Sequence, residues 1–79
     1  MKTVYILQSV HYPNRHYTGI TNDLAQRLDD HNNGECHHTA KYIPWRVLAV
    51  ISFIDDSKAQ AFERYLKSGS GRAFSQKHF

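Results

Sequence analysis

The chain has 79 residues, 41% apolar and 13% aromatic, which is enough for one compact core and leaves no room for a second. Its single cysteine, Cys36, excludes an internal disulfide, so packing must supply the stability. The net charge of +3, with six histidines besides, suits a phosphate-bearing partner without specifying one. The longest apolar run, Val47 to Ile51, is far short of a membrane span, and Val4-Tyr5-Ile6-Leu7 is too short for a signal-peptide core. The expectation is a soluble, cytoplasmic protein with no membrane partner.

Thr3 to Gln8 is rich in β-branched and aromatic side chains and reads as a first strand. Tyr12-Pro13-Asn14-Arg15 reads as a turn, because proline presets φ and asparagine tolerates tight geometry. His16 to Thr21 then reads as a second strand, antiparallel to the first. Gly19 inside it marks a bulge or a close approach, since it has no side chain to pack. Asn22-Asp23 opens a helix with an acidic residue at the positive end of its dipole, and Gly34 closes it after Asn32 or Asn33. Glu35 to Pro44 reads as a loop. Trp45 to Phe53 reads as a third strand, apolar enough in its middle to be buried on both faces. Ser57-Lys58-Ala59-Gln60 fits a capping box, with Ser57 as N-cap of a second helix running to Lys67 or Ser68. Ser68-Gly69-Ser70-Gly71 breaks that helix, and Arg72 to His78 adds a short final helical turn. The predicted fold is α/β of the α+β type, one domain over residues 1–79, with a small three-stranded, mainly antiparallel sheet flanked by helices.

Three polar residues fall where apolar ones are expected. At about 100° per residue, His31 projects between Leu24 and Leu28 on the apolar stripe of the first helix, with Arg27 at its edge. Arg27 and His31 are one turn apart and converge on one spot. In the second helix Glu63 falls inside the face formed by Ala59, Phe62 and Leu66. Ordinary pairings are the alternative: Arg27 with Asp23, Glu63 with Lys67, and His31 as a satisfied core residue. Burying such groups costs free energy unless they pair or bind an ion, so three on inward faces point to a site. Cys36-His37-His38 invites a zinc reading, but a structural zinc takes two separated ligand pairs and the chain has no second cysteine.

Val4-Tyr5-Ile6 and Tyr17-Thr18-Gly19, followed in order by Arg27, His31 and Glu63, resemble the signature of the GIY-YIG nuclease superfamily over essentially the whole chain. The likeness extends to the small bacterial single-domain members through the segment Ala61 to Phe74. Three departures stand out. The first half of the signature reads Thr3-Val4-Tyr5 and not Gly-Ile-Tyr, threonine replaces isoleucine in the second half, and Phe74-Ser75-Gln76 stands where many family nucleases carry an asparagine.

The resemblance implies a metal-dependent endonuclease that hydrolyses DNA phosphodiester bonds in repair or recombination. It implies Tyr5, Tyr17, Arg27, His31 and Glu63 as catalytic residues, with Glu63 as the protein ligand of one Mg²⁺ or Mn²⁺ ion and Gly19 as a structural glycine. Arg27 would bind the scissile phosphate, and Tyr17 with Tyr5 would orient or deprotonate the attacking water, with His31 as proton acceptor. The implied partner is nucleic acid, DNA first. The basic and aromatic residues Thr39, Lys41, Tyr42, Arg46, Lys67 and Arg72 are candidate contacts for it. A catalytically inactive nucleic-acid-binding or protein-interaction module of the same fold is the alternative. The default assembly is a monomer, with a dimer as the route to cutting both strands.

Overall fold

The computed structural model describes residues Met1–Phe79. The elements run β1 (Lys2–Ser9), β2 (His16–Thr21), α1 (Leu24–Asn32), a 3₁₀ turn (Ala40–Tyr42), β3 (Trp45–Phe53), α2 (Asp56–Leu66) and α3 (Gly69–His78). The strands form one antiparallel sheet in the order β2-β1-β3, so the first strand is central and both others are edges. The expected β1–β2 hairpin turns at Tyr12 to Arg15, where the Arg15 amide donates to the Tyr12 carbonyl.

Strand alternation sends β1 side chains to opposite faces, and each face carries its own apolar cluster. Val4 and Ile6 pack with Ala59 and Leu66 of α2, joined by Ile20, Phe53, Phe62 and Phe74. Tyr5 and Leu7 pack with Trp45 on the other face, against Leu24 and Leu28 of α1. Val4, Tyr5, Ile6 and Leu7 are all buried, since β1 alone is covered from both sides. Each such aliphatic side chain stabilises the fold by about 1.5–3 kcal/mol.

β3 departs from the expectation of burial on both faces. It is an edge strand in which only Trp45 is buried, while Val47 and Val50 are exposed. The nine-residue α1 is too short to reach across the whole face, so the outer half of β3 goes uncovered. The β1–β3 register also slips by one residue between Ile6 and Leu7, a bulge that turns Trp45 toward one cluster while Leu48 and Ala49 join the other.

The helix ends follow local chemistry. The Asp23 side chain accepts from the Gln26 amide at the start of α1, and Gly34 just beyond its end has φ of 78°, as a C′ glycine requires. In α2 the N-cap is Asp55 and not Ser57. The Asp55 carboxylate accepts from the Ser57 and Lys58 amides and from the Ser57 hydroxyl, and these bonds hold its pKa below the usual carboxylate value. Ser57 is thereby spent on supporting the cap. The final helix is longer than expected because the Ser68 side chain caps it through the Gly71 amide, taking the glycines into the first turn.

Candidate active site

The site forms where β2 leaves the sheet open. Tyr5 stands opposite Gly19 in the β1–β2 register, and the hydroxyl end of its ring fills the space a side chain would occupy there. A Cβ on Gly19 would overlap the Tyr5 hydroxyl and ring carbons. The close approach expected at this glycine is therefore an approach of Tyr5.

Beneath Tyr5 runs a chain of hydrogen bonds. The Thr39 hydroxyl lies 2.8 Å from His31 Nδ1 and 3.3 Å from the Cys36 carbonyl. His31 Nε2 lies 3.1 Å from the Tyr5 hydroxyl, and in the tautomer with the proton on Nδ1 it accepts from that phenol. His31 is fully buried, and that burial, reinforced by the nearby Arg27 charge, lowers its pKa. The imidazole is therefore neutral at pH 7 and keeps an acceptor for the phenol. Burial pushes the Tyr5 pKa up, against the opposing pull of the Arg27 guanidinium. The interaction of the Arg27 guanidinium with the Tyr5 phenol raises the pKa of the arginine. Tyr17 completes the cluster, its ring 4.8 Å from His31 and 6.3 Å from Tyr5 between centroids.

Arg27 stands at the protein–solvent boundary with its side chain 38% exposed. Its nearest carboxylate is Asp30 at a loose 3.9 Å, not the Asp23 that the i,i+4 spacing allowed. Asp23 is occupied with capping the helix.

Glu63 comes from α2, on the opposite face of the sheet. No hydrogen bond or ion pair joins it to the tyrosines, Arg27 or His31; its partner is Lys67, 2.7 Å from Oε2. The pairing follows the helical i,i+4 spacing, but the environment is not a solvated flank, because the Glu63 side chain is only 15% exposed. Glu63 raises the Lys67 pKa, and the Lys67 ammonium is close enough to feel Tyr17 and Tyr5 as well. Residues from both faces therefore meet around the free edge of β2, with Arg27 arriving from α1 and the Glu63–Lys67 pair from α2.

No three His, Cys, Asp or Glu side chains converge as a metal cage. A divalent ion of the magnesium type fits Glu63 on other grounds. Such an ion takes one carboxylate, keeps several waters and draws further ligands from substrate phosphates. Glu63 is a single, mostly buried carboxylate whose present counter-charge is a flexible ammonium able to move away.

The surface candidates divide. Thr39 is buried and held by His31, so its role is to orient the imidazole and not to meet a partner. Lys41 is exposed, Tyr42 carries the Arg15 guanidinium 4.8 Å above its ring, and Arg46 is tied to Gln8 Oε1. Lys67 and Arg72 line a recess beside Tyr17 that also holds Ser75 and Gln76, the residues standing where the family asparagine was sought. Sequence reasoning missed the Thr39 hydrogen bond and the clamp in which Asn32 bonds both backbone groups of Trp45. Neither pair has a helical or strand spacing that could have signalled it.

A family model described as the GIY-YIG catalytic domain matches residues 1–77. No curated protein matches the chain. The match takes in every element of the fold and all of the residues gathered at the β2 edge. The chain belongs to the GIY-YIG catalytic domain family, whose members are generally nucleases dependent on a divalent metal.

Proposed function

We propose that this protein is a metal-dependent endonuclease that cleaves DNA phosphodiester bonds at the β2 edge. The observation that carries this reading is the buried Tyr5–His31–Thr39 chain with the Arg27 guanidinium against the phenol. The chain leads from the core to a part-exposed arginine, the arrangement that proton transfer beside a bound phosphate calls for.

In this reading Arg27 binds the scissile phosphate and offsets the charge that develops on its oxygens. Tyr17, half-buried at the rim, orients the attacking water. The phenol of Tyr5 is not ionised at rest, because burial raises its pKa, so it acts as a relay. The water gives a proton to the Tyr5 oxygen as the phenol proton crosses to His31 Nε2 over 3.1 Å; the water oxygen bonds to the phosphorus, the P–O bond to the leaving sugar oxygen breaks, and that oxygen takes a proton from solvent. His31 becomes an imidazolium with Nδ1–H still on Thr39 and Nε2–H on Tyr5, and the neighbouring guanidinium lowers the cost of transient negative charge on the phenol oxygen. Glu63 would hold one Mg²⁺ or Mn²⁺ ion after Lys67 moves aside, and the ion would supply charge stabilisation on the phosphate.

The test uses supercoiled plasmid and branched or single-stranded oligonucleotides in Mg²⁺, Mn²⁺ or chelator. Glu63→Ala and Arg27→Ala should each lower cutting at least about 100-fold while keeping the native circular dichroism spectrum. Cutting that survives both substitutions or the chelator would overturn the assignment. Nucleic-acid binding with no cutting anywhere in the panel would select the inactive binding module.

A further inference from the structure

Glu63 brings a carboxylate to the β2 edge in a mostly buried position, with its side chain 15% exposed. A carboxylate so placed needs a cation beside it in every state of the protein, because an uncompensated buried charge is costly. Its counter-charge in this structure is internal. The Lys67 ammonium lies 2.7 Å from Glu63 Oε2, one helical turn further along α2, and no other side chain pairs with Glu63. The two partners differ in freedom. The Lys67 side chain is 52% exposed on a flexible stem, and Lys67 is the C-cap of α2, where the last carbonyls of the helix offer its ammonium another place to go. Arg72 lines the same recess as Lys67, but no carboxylate holds it.

We propose that Lys67 is a built-in competitor for the cation site of Glu63: its ammonium holds the carboxylate when no ion is bound, and a divalent ion binds only by displacing it. The inference rests on the nuclease reading for Glu63 as a metal ligand and for nothing else. Because the competitor is tethered one helical turn away, its local concentration is high and does not depend on the medium. A divalent ion overcomes it by carrying twice the charge, whereas a monovalent ion offers the carboxylate no more than the ammonium already does. The pair thus keeps the buried carboxylate compensated without metal and closes it to sodium and potassium ions. It also weakens the metal site, which binds less tightly than Glu63 alone would allow.

The experiment measures Mn²⁺ binding to the free protein by electron paramagnetic resonance, without nucleic acid, beside urea midpoints in chelator and in Mn²⁺. Lys67→Met keeps the apolar stem and removes the charge, and it should bind Mn²⁺ at least about fivefold more tightly, the factor that an ion pair of modest strength withholds. In chelator it should be less stable than the wild type, and Mn²⁺ should raise its midpoint by more. Lys67→Arg should bind Mn²⁺ more weakly than the wild type, because a guanidinium grips a carboxylate with two donors. Arg72→Met removes a charge that no carboxylate holds and should change the affinity much less. Equal affinities in the wild type and Lys67→Met, or an equal gain in Arg72→Met, would overturn the proposal. Should Lys67→Met fail to fold in both media, Lys67→Arg decides, and affinity equal to the wild type there has the same force. Glu63→Gln separates the two readings. Mn²⁺ held equally with and without Lys67 but lost in Glu63→Gln keeps the metal ligand and removes the competitor. Mn²⁺ retained in Glu63→Gln, or bound by none of these proteins, removes both.

Discussion

His31 is the residue on which most of the site depends, and its burial makes a prediction about acid. The unfolded chain takes up a proton on this side chain near pH 6.5, whereas the folded protein holds the imidazole at a lowered pKa. Below pH about 6.5 the unfolded state therefore binds more protons at this position, and stability falls with pH until the lowered folded value is passed. The other five histidines are exposed. Urea midpoints measured from neutral to mildly acid pH should decline in the wild type and decline less in His31→Gln. Equal slopes would show that the proton is taken up elsewhere. Gly19 makes a second prediction at this scale. Gly19→Ala places a methyl group into the Tyr5 ring, and overpacking of this kind costs about 1–3 kcal/mol. The cost should shrink markedly in a Tyr5→Ala background, because the two positions touch and a double-mutant cycle detects such coupling.

At the scale of elements, the junction of α2 and α3 is the tightest place in the chain. Gly71 is buried, and a Cβ there would collide with the backbone of Tyr65, which unlike a side chain cannot swing aside. Gly69, two residues earlier in the same turn, has nothing within reach of an added Cβ. Gly71→Ala should therefore lower stability by about 1–3 kcal/mol, while Gly69→Ala should be neutral or slightly stabilising through the unfolded state. Urea denaturation of the two variants side by side checks the contrast. The Ser/Gly run was legible as a break and not as a tight helical start. Composition announces that glycines interrupt something, while only the docking of two helices says which of them is irreplaceable. The same division holds for α2, where Ser57 with Gln60 matched a capping pattern but Asp55, two residues earlier, reaches more donors.

For the molecule as a whole, the strand and helix periods were readable because local pattern dictates them. The hairpin, the three helices and the antiparallel sheet all follow from it. Strand order was not readable. A run such as Val47 to Ile51 has the apolar content of a central strand, and only the assembled sheet shows β1 in the middle and β3 at the rim. The convergence of Tyr5, Tyr17, Arg27 and His31 was legible through helical projection and the family resemblance. The approach of Lys67 to Tyr17 from the opposite face was not, because it depends on α2 reaching the free edge of β2. That arrangement fixes how this sheet can grow. A fourth strand laid along β2 would bury the Arg27 guanidinium and close the way to Tyr17. One laid along β3 would cover Val47 and Val50 and leave the β2 edge untouched. An added strand thus has one open direction of growth on this sheet, outward from β3.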